Sequence, residues 1–196
     1  MPAISNIQEM RIKQKTVNAG NSSNYKFVNL PNLNDISNII MQYMPEEVKK
    51  HTLFKSLPEK QFSLCKPLVE AIETIKPWGD IFYIALITVA PRDRLSIHID
   101  WDDMKERPYA LNIPIYNCAK TPSIFYRLKD NAETKVVYQD HGDPYHYYDE
   151  DQAEEIERFY LTKAAFFNTR TPHSAINDTD EPRIIISVRF KTPLEF

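Results

Sequence analysis

Leu95-Ser96-Ile97-His98-Ile99-Asp100-Trp101 alternates apolar and polar residues without a break. In an extended strand successive side chains point to opposite faces, so Leu95, Ile97 and Ile99 share one face and Ser96, His98 and Asp100 the other. Residues two apart project the same way about 6–7 Å from each other. An imidazole and a carboxylate therefore stand side by side over an apolar backing. That is the pattern of a half-buried strand that also carries two metal-ligating groups. The plainer alternative is a strand surface with two polar groups in water.

The surroundings read the same way. Residues 81–90 form a β-branched and aromatic run closed by Pro91, a buried strand. Further strands are expected at Tyr109–Tyr116 and over residues 123–128, 134–139, 164–168, 173–177 and 183–190. Short strands with Pro and Asn/Asp turns between them indicate an antiparallel sandwich or jelly roll. Before them the pattern is helical. Leu33, Ile36, Ile39, Ile40 and Met44 recur at helical spacing, with Asn34 or Asp35 as cap. A second helix follows Pro45, and Leu68, Ile72 and Ile75 suggest a third. Residues 1 to about 30 are polar, with Asn18, Gly20, Asn21, Ser22, Ser23 and Asn24 marking a turn or loop. A helical interruption is expected after Asp149 or Asp151, with Ala153, Ile156, Phe159 and Tyr160 as its apolar stripe. The expected fold is mainly β with N-terminal helices around a double-stranded β-helix (jelly roll, cupin-like) core. Its two parts are residues 1–79, a helical segment packing on the barrel, and residues 80–196, the core.

Composition bounds the function. The 196 residues suffice for one domain burying roughly 70% of its unfolded surface. With 42% hydrophobic residues and 12% aromatics the chain is globular. A net charge of −3 and a pI near 6.0 give no electrostatic footprint for non-specific nucleic-acid binding. Residues 1–15 lack the apolar core of a secretory signal, and the apolar run at 81–90 is half the length that spans a bilayer. Cys65 and Cys118 form no CxxC pair and read as reduced thiols. The expected location is cytoplasmic, with no membrane partner.

One histidine and one carboxylate need a third ligand. His173, opening a strand after Pro172, is the best candidate. Two histidines and a carboxylate on one side of a metal leave positions open, which suits non-haem Fe(II). His141-Gly142-Asp143 is a competing HxD with His146 nearby, but Gly142 and Pro144 make it a turn, where nothing enforces a shared face. His51 sits in a polar helix and reads as solvated. On the strand at 183–190, Arg183, Ser187 and Arg189 share a face opposite Ile184, Ile186 and Val188. An arginine inside a barrel needs an anion, and a dicarboxylate co-substrate supplies one by bidentate pairing. The alternative partners are Asp178, Asp180 and Glu181, just before it.

Together, His98-x-Asp100, a distal His173 and an arginine ten positions on resemble the 2-oxoglutarate- and Fe(II)-dependent oxygenase superfamily over residues 80–192. The resemblance implies Fe(II) on His98, Asp100 and His173, with 2-oxoglutarate chelating the iron and Arg183 holding its far carboxylate. It implies consumption of 2-oxoglutarate and O₂, release of succinate and CO₂, and hydroxylation of an unidentified amino-acid, peptide or small-molecule substrate. Leu111-Asn112-Ile113-Pro114-Ile115-Tyr116-Asn117 is similar to the aspartyl/asparaginyl and prolyl hydroxylase-like branches, in which Asn112 and Tyr126 are candidate co-substrate contacts. Arg189, six residues after Arg183, instead resembles the nucleic-acid demethylase branch. The acidic, tyrosine-rich stretch 138–160 reads as a solvated element or as a lid, and a lid of that charge disfavours nucleic acid. A cupin-like protein binding a metal or small molecule without oxidising anything is the alternative from another class.

Overall fold

A computed structural model describes residues 22–57, 70, 81–100, 109–138 and 144–190. Its strands, in chain order, are β1 (Tyr25–Phe27), β2 (Leu53–Leu57), β3 (Ile81–Val89), β4 (Asp93–Arg94), β5 (Ile97–Ile99), β6 (Tyr109–Tyr116) and β7 (Pro122–Leu128). They continue with β8 (Lys135–Tyr138), β9 (Pro144–Tyr148), β10 (Ala153–Tyr160), β11 (Ala165–Asn168), β12 (His173–Asn177) and β13 (Arg183–Phe190). Two short helices, α1 (Leu33–Tyr43) and α2 (Glu46–Lys49), precede β2.

The strands build two antiparallel sheets. The large sheet runs β1-β11-β6-β13-β3-β2, and the small one β10-β7-β12-β5-β9-β8, with β4 on the flank of β12. Two facing antiparallel sheets with non-sequential neighbours make the jelly roll expected from the strand pattern. β13 lies at the centre of the large sheet, between β3 and β6, and all eight of its residues are buried.

Alternation along β13 divides the interior in two. Ile184, Ile186 and Val188 pack with Leu111, Ile113 and Phe166 under α1, whose Ile36 is fully buried. Ile185 faces the other way, into a second cluster between the sheets with Phe125, Phe159, Phe167 and Tyr25. Arg183, Ser187 and Arg189 share the Ile185 side by parity, so both arginines point between the sheets.

Several expectations change. Residues 153–160 are strand, not helix: only Glu150–Gln152 makes a helical turn, and β10 pairs along β7. Pairing with an available sheet edge outweighs the helical spacing of Ile156, Phe159 and Tyr160. Tyr25–Phe27, just after the expected turn or loop, joins the large sheet, as does Leu53–Leu57, and Pro144, at the end of the expected turn, opens β9. Asn34 and Asp35 lie inside the first turn of α1. The N-cap is Asn32, with no capping side-chain bond. The third helix, Cys65, Trp101 and the competing His141 and Asp143 fall outside the described residues. No helix among the described residues is long and apolar enough to cross a membrane.

Candidate metal centre

His98 on β5 and His173 on β12 are direct cross-strand partners, so their side chains rise from the same face of the small sheet. Their ring centroids are 4.3 Å apart. Each Nδ1 donates to a carbonyl two residues upstream, His98 to Ser96 at 2.7 Å and His173 to Thr171 at 2.9 Å. A carbonyl only accepts, so Nδ1 carries the proton and each Nε2 keeps its lone pair for a ligand. Asp100 Oδ1 lies 3.3 Å from His98 Nε2 and 3.8 Å from His173 Nε2. Ligands on neighbouring corners around a first-row divalent ion, each about 2.1 Å from it, stand about 3 Å apart. The three donor atoms lie mutually within 4.8 Å, close enough together to converge on one small ion.

The protonation states suit a metal as well. Burial, reinforced by the adjacent His98, pulls the His173 imidazole down to about 3, so it is neutral. Burial alone would raise the Asp100 carboxyl, but Arg189 and the two histidines outweigh it and hold the group ionised, well below the usual carboxylate range. Asp100 is tied down from two sides. Its amide donates to Thr169 at 3.1 Å, and its Oδ2 accepts from Arg189. Arg189 also donates to the Thr169 hydroxyl at 3.0 Å. With Oδ2 engaged, only Oδ1 is turned toward the histidines. A carboxylate so held ligates through one oxygen, which keeps other positions of an ion free.

On one side of the pair the wall is apolar. Phe167 meets the His173 ring edge-on at 4.8 Å between centroids, and Phe125 stands at 6.3 Å. The strand bearing His173 is braced from the N-terminal segment, where Asn24 accepts a bond from Thr171 at 2.9 Å. Access is from the Asp100 side, whose side chain is 29% exposed.

Arg183 is 2% exposed and points between the sheets, where it donates to Ser123 at 2.8 Å. Its Nε has no partner. None of the carboxylates just before it is engaged by it: Asp180 pairs with Arg92, and Glu181 accepts from Tyr116. Burial raises the nearby Cys118 thiol, which therefore supplies no anion. Among the described residues no carboxylate faces this guanidinium. Ser123 is paired with Ala175, two residues along β12 from His173, so Arg183 reaches a level about 6–7 Å from the imidazoles. The side chains in between, Ala175, Ala85 and Ser187, are the small ones of the inner faces. Asn112, paired with Ser187, adds a buried Oδ1 without a partner.

Three placements expected from the residue pattern change or sharpen. Tyr126 alternates with Phe125 and therefore lies on the outer face of the small sheet, bonded to Ser174 at 3.0 Å; it does not face the triad. Arg189 meets Asp100 and Thr169 through its two terminal nitrogens, while its Nε has no partner. His146 pairs with Ile99 and so points away from His98, while His51 is exposed against Glu47. Thr169 and Ser123, which hold the two arginines, had no signal in the sequence: their roles come from strands distant along the chain.

No family model matches the chain, and no curated protein matches it. Among solved structures it is similar to the viral collagen prolyl hydroxylase from Paramecium Bursaria Chlorella virus-1, with 9% identity over 86% of this chain and 96% of that one and a TM-score of 0.46. It is also similar to a Pseudomonas putida prolyl-4-hydroxylase, with 8% identity over 87% and 94% and a TM-score of 0.44. A third is the non-heme alpha ketoglutarate dependent epimerase of nogalamycin biosynthesis, with 12% identity over 95% and 83% and a TM-score of 0.44.

Proposed function

We propose that the chain is an Fe(II)- and 2-oxoglutarate-dependent dioxygenase that hydroxylates an amino-acid, peptide or other small substrate. The observation that carries this reading is Arg183: a buried guanidinium with no carboxylate among the described residues, about two strand residues from a three-ligand site. Burying an unpaired charge is costly, and a short dicarboxylate removes that cost if its far end meets Arg183 and Ser123 while its near end reaches the metal. A protein that only binds a metal gains nothing from such an arginine.

His98, Asp100 and His173 would hold the iron, which when bound supplies the redox chemistry that consumes 2-oxoglutarate and O₂. The protein's own work is positional. The Ser96 and Thr171 carbonyls aim the imidazoles, Arg189 restricts Asp100 to one oxygen, and the Phe125–Phe167 wall keeps water from one side.

The test is spectroscopic. Anaerobic protein mixed with Fe(II) and 2-oxoglutarate is expected to develop a weak visible charge-transfer band, and to form succinate under air. His98→Ala should abolish both signals, and His146→Ala should leave both intact. A wild-type protein giving neither band nor succinate overturns the reading.

A further inference from the structure

Five strands of the small sheet line up across the metal centre. Phe125 on β7 is the register partner of His173, His173 of His98, His98 of Tyr147 on β9, and Tyr147 of Lys135 on β8. Direct cross-strand partners share a face, so these five side chains form one row on the side of the sheet that bears the triad. Neighbouring strands are about 4.8 Å apart, which sets Tyr147 one strand from His98 and Lys135 two.

The row is buried at one end and exposed at the other. Phe125 is fully buried, His173 and His98 nearly so, Tyr147 is half-buried, and the Lys135 side chain is 51% exposed. The Phe125 end is closed by Tyr25, Phe159 and Phe167. Among the described residues, the solvent-facing end of the row is therefore the β8–β9 side, which leads past Lys135 and then Tyr147 to the metal ligands beside the Asp100 opening. At its outer end Lys135 Nζ meets both carboxylate oxygens of Asp149, at 2.8 and 2.6 Å. Asp149 lies two residues beyond Tyr147, just past the end of β9, where its carboxylate meets Lys135. Its side chain is 46% exposed, so donor and acceptor both remain open to a visitor.

We infer that Tyr147, with the Lys135–Asp149 pair, is the substrate-contacting wall of this site, and that the wall selects a group carrying a donor and an acceptor side by side, the amide of a peptide or capped amino acid. The inference rests on the oxygenase reading and deepens it. The pair is neutral as a unit, so neither a bare cation nor a bare anion is favoured over the partner it would displace. An amide answers both halves at once, its carbonyl to Lys135 and its N–H to Asp149. The adjoining carbon then lies against the Tyr147 ring, one strand from the metal ligands.

The experiment uses the full chain with ring-labelled tyrosines, loaded with Zn(II) or Mn(II) in the presence of 2-oxoglutarate. Tyr147→Phe assigns the Tyr147 resonance. Mn(II) is expected to broaden it far more than that of Tyr116, at the distant end of β6. N-acetyl amino-acid methylamides, titrated into the Zn(II) form, should shift the Tyr147 signal saturably, whereas butylammonium and butyrate at equal concentration should not. Lys135→Ala and Asp149→Ala, at an exposed edge, should each weaken the amide response at least fivefold while leaving Mn(II) uptake unchanged. An unbroadened Tyr147, an amide response equal in both variants, or an equal response to butylammonium overturns the inference alone. Failure of the wild type to take up Mn(II) and 2-oxoglutarate overturns the oxygenase reading and this inference with it.

Discussion

Arg183 and Arg189 stand on the same strand, on the same face, and both are buried, at 2% and 4% exposure. Arg189 meets the Asp100 carboxylate and the Thr169 hydroxyl, while Arg183 meets one serine hydroxyl and, among the described residues, no carboxylate. The difference lies in what the opposite sheet presents. Near Arg189 the small sheet brings a carboxylate that is itself a metal-ligand candidate. Near Arg183 it brings Ser123, a neutral side chain. One arginine therefore has a carboxylate for its charge, and the other has none among the described residues. Burial itself shifts Arg183 downward, the direction expected of a desolvated cation without a carboxylate.

The sharpest way to break this comparison is to remove each charge in turn. Arg183→Met is expected to cost 2-oxoglutarate affinity on the order of 100-fold or more, the scale for truncating one side of a buried charge pair. In the ligand-free protein it should be neutral or stabilising, because it replaces an uncompensated charge by apolar volume. Calorimetric titration and a urea melt of the same variant measure both. A ligand-free protein destabilised by this change would mean that Arg183 already has its anion.

Arg189→Met should behave in the opposite way. It strands the Asp100 carboxylate, and the expected loss is about 3 kcal/mol of stability, at the low end for a broken buried pair because Asp100 is partly exposed. Metal affinity should fall about 10–100-fold, as for other groups that orient a ligand. Denaturant melts and Mn(II) titration decide.

Acid tests the histidine half of the site. Folding holds His173 neutral down to about 3, whereas the unfolded imidazole takes its proton near 6.5. Below 6.5 the unfolded state binds more protons, so this contribution is complete above that pH and is lost as pH falls toward 3. The slope is at most about 1.4 kcal/mol per unit. Asp100, held below its ordinary 3.8, adds a loss below that value, again on the acid side. Melts of the metal-free protein between pH 4 and 7 should follow this sign, and stability that rises on acidification would contradict the burial of His173. The smallest effect is expected of Tyr126→Phe, which removes one bond to Ser174 at a cost of about 1 kcal/mol. Metal and 2-oxoglutarate affinities should stay unchanged, because Tyr126 faces away from both.

Much of this was legible along the chain because strand periodicity is local. The alternation at residues 95–101 assigns His98 and Asp100 to one face, and that of Arg183–Phe190 assigns both arginines to another, before any partner strand is known. What misleads is also local. Residues 153–160 carry apolar side chains at helical spacing, yet the edge of β7 lies open to them and they pair with it. Tyr126 suits a co-substrate contact by its residue type, but one residue of parity sends it to the opposite face.

The amino-acid sequence alone determined the class of fold, the ligand pair on β5 and the shared face of the two arginines, since each follows from a period of two within a single strand. Only the tertiary structure decided which arginine is spoken for, that His98 stands beside His173 on one side and Tyr147 on the other, and from which side the site opens. Those are questions of register between strands far apart in the chain, and register is set by packing the whole barrel at once.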